Sequence, residues 1–136
     1  MIPAWTAEYI GLPFADHGRT RSGVDCWGLV RLVLAERFGI DVPSYDGSYR
    51  QTTDRTDLDY LISTERSSAW TSVPLGTEQP GDVVLLRCLG AACHVGLVVA
   101  AGVMIHAEVG LDTVLDRYDT TRWAARVQGI YRAAVT

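Results

Sequence analysis

The sequence predicts an α+β fold, with N-terminal helices packed on a C-terminal antiparallel β-sheet. Two textures in the chain point to it. Residues 25–38 carry Val30, Val33, Leu34 and Phe38 at the spacing of one helix face. After Pro74 the pattern changes to short β-branched runs separated by glycines. The third observation is size: 136 residues, 48% of them hydrophobic, suit one domain with a real core.

The elements follow in order. Residues 3–11 read as a short helix, opened by Pro3 and closed by Gly11. Asp16 to Gly23 is a turn-rich approach. It feeds a helix over 25–38, with Asp25 as cap and Gly39 as stop. Residues 40–56, rich in Ser, Thr, Tyr and Asp, read as a loop. Residues 57–67 hold a helix with Leu58, Leu61 and Ile62 on one side. The whole segment 40–75 is a long connection, suited to a lid or a docking surface. Strands are expected at Asp82–Arg87, His94–Val99, Val103–Ala107, Thr113–Arg117 and Val127–Ala133. Asp119–Trp123 reads as a helical turn between the last two.

Composition excludes several classes. The net charge is −4, with acids and bases interspersed. That speaks against nucleic acid or an anionic membrane as partner. No apolar run approaches the ~20 residues of a membrane span, so no membrane insertion is expected. Met1 to Trp5 lacks the basic and apolar regions of a signal peptide. Synthesis in the cytoplasm, with any export by another route, is the expectation. Three cysteines do not close a disulfide framework.

The chemistry centres on Cys26, in the first turn of the second helix. Unpaired backbone N–H groups and the positive dipole end favour a thiolate there. The competing reading is a buried structural thiol. His94 and His106 flank a hairpin closed by Ala100-Ala101-Gly102. A three-residue loop pairs residues of equal parity, so both imidazoles leave one face of the sheet. His106 then lies diagonal to His94, within side-chain reach. Together the three residues fit a nucleophile (Cys26), a base (His94) and an orienting group (His106). The Cys26 backbone N–H can stabilise an oxyanion. Such chemistry uses side chains alone and needs no cofactor.

Zinc is a competing reading, since Cys88, Cys93 and His94, with His17 or His106, supply ligand types. No second paired ligand motif accompanies them. Cys88 and Cys93 also have the spacing to bridge across a hairpin, although two reduced thiols is the plainer reading.

Five blocks in order resemble the NlpC-type cell-wall cysteine peptidases. They are Gly11-Leu12-Pro13-Phe14, Gly23-Val24-Asp25-Cys26-Trp27-Gly28-Leu29-Val30, Pro80-Gly81-Asp82-Val83-Val84, His94-Val95-Gly96-Leu97-Val98 and Met104-Ile105-His106-Ala107. The resemblance implies a papain-like fold and hydrolysis of amide bonds in peptidoglycan stem peptides. It implies Cys26 as nucleophile, His94 as base and His106 as third polar residue. It also implies a contact from Asp25 to the substrate amine. Phe14 stands where members usually carry tyrosine, and Trp27 where serine is commonest. Trp27 is either core or one wall of the substrate groove, with Tyr45, Tyr49 and Arg50 opposite. The bulky Trp27 and the arginines of the approach resemble the branch found in bacteriophage tails. That branch implies a tail-tip location in the virion, contacts with other particle proteins and a role in DNA delivery. The alternative is a non-catalytic tail-tip subunit that keeps the fold. Acyl transfer on the same residues is a third reading.

Overall fold

The computed structural model describes residues 2–42, 70–88, 91–108, 110–120 and 122–133. The expected helix at 57–67, most of the 40–75 connection, and Tyr45, Tyr49 and Arg50 lie outside them.

The chain begins with a 3₁₀ turn, Ala4–Glu8, shorter than the helix expected over 3–11. Pro3 O anchors it, accepting from the Thr6 backbone N–H and hydroxyl. The α form fails because the next residues are taken by a strand. Gly11 N–H donates to Thr113 O, and Thr113 N–H donates to Leu12 O. The approach folds into a two-strand ribbon, β1 (Arg19–Thr20) and β2 (Gly23–Val24).

Helix α1 spans Cys26–Phe38 and has the ends the sequence predicts. Asp25 accepts from Gly28 N–H at 2.7 Å, and Gly39 closes the helix at φ 66°. Gly28 is required for another reason. A Cβ there would sit 1.9 Å from Gly18 O, so only glycine lets the approach loop lie against the helix start. Among the described residues α1 is the only α-helix, the helix expected over 3–11 being the 3₁₀ turn.

The remaining strands are β3 (Trp70–Val73), β4 (Val83–Cys88), β5 (Ala91–Ala100), β6 (Val103–Glu108), β7 (Leu111–Arg117) and β8 (Val127–Ala133). They form one sheet in the order β3-β8-β4-β5-β6-β7, every pair antiparallel. The edge strand β3 is not among the strands the sequence predicts, because Trp70–Val73 sits at the end of a long polar segment. Its β-forming residues and the following Pro74 are the signal that marks it. The turn after β7 also differs: the helical residues are Ala124–Arg126, a 3₁₀ turn, rather than 119–123.

The sheet has an apolar layer on each face. On one side Leu85, Val95, Leu97, Val99, Ile105 and Ala107 pack with Leu29, Val30, Val33 and Leu34 of α1. On the other, Val84, Leu86, Val98, Met104 and Ile130 pack under Tyr118 and Trp123. Asp82 is buried in the sheet but satisfied by a forked pair of bonds from Arg132, at 2.8 and 2.9 Å. Among the described residues no helix is long and apolar enough to cross a membrane.

Candidate active site

The β5–β6 hairpin positions both histidines. Ala100 pairs with Val103, so the turn is tighter than the expected three-residue loop. The spare residue is absorbed by an irregularity at Val99, and further in Val98 faces Met104 and Leu97 faces Ile105. The register at the site is therefore the one parity predicts. His94 Nε2 and His106 Nδ1 lie 2.8 Å apart.

The β5–β6 pairing runs no further than Leu97 and Ile105. Val98 N–H donates to Asp82 O, and Val98 O accepts from Gly81 N–H. By alternation, even residues of β5 turn their backbone groups to β4 and odd residues turn theirs to β6. Val95 N–H thus points where β6 no longer pairs, and the Cys26 sulfur accepts it. The sulfur meets β5 one residue from His94. Among the described contacts there is no hydrogen bond between the sulfur and the His94 ring. The structure therefore joins His94 to His106 directly and brings Cys26 alongside β5, the strand of His94.

The imidazoles themselves lie against Trp123 rather than in the layer under α1. The His94 ring stacks on the Trp123 indole at 5.7 Å and 20°, and His106 meets it edge-on at 5.6 Å. Asp116 completes the cluster. Its Oδ2 lies 3.2 Å from His106 Nε2, 2.9 Å from Trp123 Nε1 and 3.3 Å from an Arg122 nitrogen. Neither Asp116 nor Trp123 was singled out from sequence. The signal was present for Asp116, because β6–β7 pairs Met104 with Asp116 and His106 with Val114. The same parity rule puts Asp116 diagonal to His106 on one face. Trp123 arrives from a connection, and no periodicity announces it.

Electrostatics differ from the sequence expectation. Cys26 is 2% exposed, and burial pushes its thiol up to about 12, with the negative Asp25 adding to the rise. Bonds from the backbone and the nearby Arg19 pull the other way but do not prevail. The helix start alone favours a thiolate, but desolvation of the sulfur outweighs it. His94 is pushed down to about 3, first by burial, then by His106 and Arg122. His106 is lowered by burial, opposed by Glu108 and Asp116. Asp116 is held below the ordinary carboxylate range by the Trp123, His106 and Arg117 donors, which outweigh its burial. At neutral pH the pair rests as thiol and neutral imidazole.

Asp25 has no exposed surface. Its oxygens accept from Gly28 N–H at 2.7 Å, His17 N–H at 3.0 Å and Arg19 at 2.8 Å. His17 takes a left-handed φ of 60° at this turn. Trp27 is 8% exposed and packs edge-on against Trp70 at 5.8 Å. That places it in the layer between α1 and the sheet. Trp27→Ser is expected to lower stability by ~3–5 kcal/mol, as large-to-small core changes do. Urea unfolding checks it, and full stability with a changed substrate range would place the indole in a groove instead.

For metal, the side chains of Cys88 and Cys93 lie outside the described residues, so the zinc set and the disulfide expected from sequence lie outside them too. Among the described residues, His94, His106 and Glu108 bring ligand atoms within 4.8 Å of one another. Each is already engaged. The histidines bond each other and Asp116, and Glu108 pairs with Arg122 at 2.8 Å.

Comparison with known proteins agrees with this architecture. The chain is 26% identical over 120 residues to the murein DD-endopeptidase MepS/murein LD-carboxypeptidase of Escherichia coli strain K12. That match covers 88% of this chain and 55% of the relative, so the chain spans about half the relative's length. The NlpC/p60 domain of the peptidoglycan hydrolase SagA superposes with a TM-score of 0.62 at 22% identity, covering 96% of this chain and 94% of that one. A lipoprotein-like NLP/P60 protein from Staphylococcus aureus Mu50 gives 0.67 at 17% identity, covering 95% of this chain and 39% of the other. These likenesses show the papain-like α+β fold. The model of the NlpC/P60 family matches residues 11–132, from the turn before the ribbon into the last strand, and the chain belongs to that family.

Proposed function

We propose that this chain is a cysteine peptidase that hydrolyses amide bonds in peptidoglycan stem peptides. The carrying observation is the hydrogen-bonded run Asp116–His106–His94 beside the Cys26 sulfur at a helix start. The names of the relatives support murein as the substrate. In the reaction the Cys26 proton passes to His94 as the sulfur attacks the scissile carbonyl. The oxyanion that forms is met by the Cys26 backbone N–H. His94 returns the proton to the departing amine, leaving a thioester, and water activated by His94 then releases the acid. Burial favours the neutral form of both groups, which suits proton transfer in concert with attack. Asp25 caps the helix start and Trp27 packs on Trp70, and both stand beside the nucleophile as the substrate-contacting residues of this reading. The domain acts as one unit over 1–136, with no cofactor.

The tail tip of a bacteriophage or related particle is the location we propose. The bulky Trp27 and the arginines of the approach loop support it. Probing purified particles with an antibody against this chain tests it, and absence from the particles excludes it. The scaffold reading, a tail-tip subunit without activity, draws on the burial of Cys26. Digestion of purified sacculi decides between the two: soluble muropeptides identified by mass are expected from a peptidase, and none from a scaffold.

A further inference from the structure

We propose that Asp116, held by Trp123 and Arg122, is a positioning residue that sets the tautomers of both histidines, so that Nδ1 of His94 is the bare nitrogen available to the Cys26 proton. The argument is a count of protons along the run. Asp116 Oδ2 is a carboxylate oxygen and can only accept. It lies 3.2 Å from His106 Nε2, so that nitrogen carries the hydrogen. A neutral His106 then has a bare Nδ1. That bare nitrogen sits 2.8 Å from His94 Nε2, so His94 Nε2 must donate. The second proton of His94 is thereby excluded from Nδ1. One carboxylate fixes two rings in series, and the base nitrogen is decided two residues away from the charge.

The carboxylate is itself built in. Trp123 Nε1 donates to the same oxygen at 2.9 Å, and Arg117 N–H donates to the other at 2.9 Å. The Trp123 indole also stacks on His94, so one side chain holds both ends of the run. Arg122 and Arg126 lie over Trp123, with guanidinium carbons 4.6 and 5.5 Å from its ring centre, and add cation–π contacts that help hold the indole. The charged groups facing the pair are Arg122, Glu108 and Asp116. Glu108 is occupied by Arg122, which leaves Asp116 as the acceptor that His106 sees. With the tautomer fixed, no proton has to move between the two rings before Nδ1 of His94 can accept. If Asp116 were lost, His106 would be free to carry its proton on Nδ1. His94 would then have to accept at Nε2 and carry its hydrogen on Nδ1, where it blocks the base.

This inference rests on the peptidase reading, but its test does not need catalysis. Nitrogen NMR of histidine-labelled wild-type protein at neutral pH reads the ring protonation directly. Both His94 and His106 are expected with hydrogen on Nε2 and a bare Nδ1. A wild-type spectrum with hydrogen on Nδ1 of either ring overturns the proposal, whatever the activity. Asp116→Asn keeps the shape and removes the charge. It is expected to give mixed tautomers at both rings and to lower kcat on muropeptides by about 10²-fold with KM unchanged. Unchanged tautomers with kcat within about twofold of wild type overturn it. Wild-type protein with the expected tautomers but no muropeptide cleavage refutes the peptidase reading and leaves this one standing.

Discussion

Cys26→Ala is expected to abolish release of muropeptides from purified sacculi, a fall of at least ~10⁴-fold, because it removes the proposed nucleophile. Cys26→Ser behaves similarly, since His94 is set to receive a thiol proton and the hydroxyl is a far weaker acid. His94→Ala falls nearly as far. His106→Ala retains more, because it orients the base and does not react. The fold should survive the change at Cys26. The thiol is small, and the residues around it, Val24, Leu29 and Val95, keep their packing. Unfolding measured beside each digest separates lost chemistry from lost structure. Equal digestion by wild type and folded Cys26→Ala would sink the mechanism and leave the scaffold reading.

Acid is expected to weaken this protein earlier than its carboxylates require. His94 ionises near its ordinary 6.5 in the unfolded chain but only at about 3 in the fold. Above 6.5 the ring is neutral in both states, and folding is unaffected. Below 6.5 the unfolded chain binds a proton that the folded chain refuses. Each pH unit in that window removes ~1.4 kcal/mol of stability, and the loss levels off only near the folded value. From pH 6.5 to 5 the loss from His94 is about 2 kcal/mol. His106 is lowered too and adds in the same direction. Asp116, also lowered, contributes its loss at lower pH, below the ordinary carboxylate range. Urea unfolding of wild type and His94→Gln at pH 7.5 and 5.0 checks this. The variant is expected to lose about 2 kcal/mol less than wild type between the two. Equal losses would show that the imidazole is not held neutral by burial.

The sequence by itself determined a good deal about this protein. Helix α1 was legible because its cap, its apolar spacing and its terminal glycine are all local signals. The pairing of His94 with His106 was legible because strand parity is a counting rule. It survived a tighter turn than expected, since the irregularity at Val99 absorbed the difference. The five blocks around these residues carried the family. Tertiary structure alone decided the ionisation of Cys26. A helix start favours the thiolate, but the depth at which the sulfur is buried depends on how the sheet closes over it. Only the fold placed Trp123 on His94, because the residue sits in a connection with no periodic pattern to read. It also turned the imidazoles toward that indole, and it turned Asp25 inward as a cap with three donors. Periodicity specifies which residues share a face. What covers that face, and how much water it keeps, is set by elements distant in the chain, and those set the charge states of the candidate site.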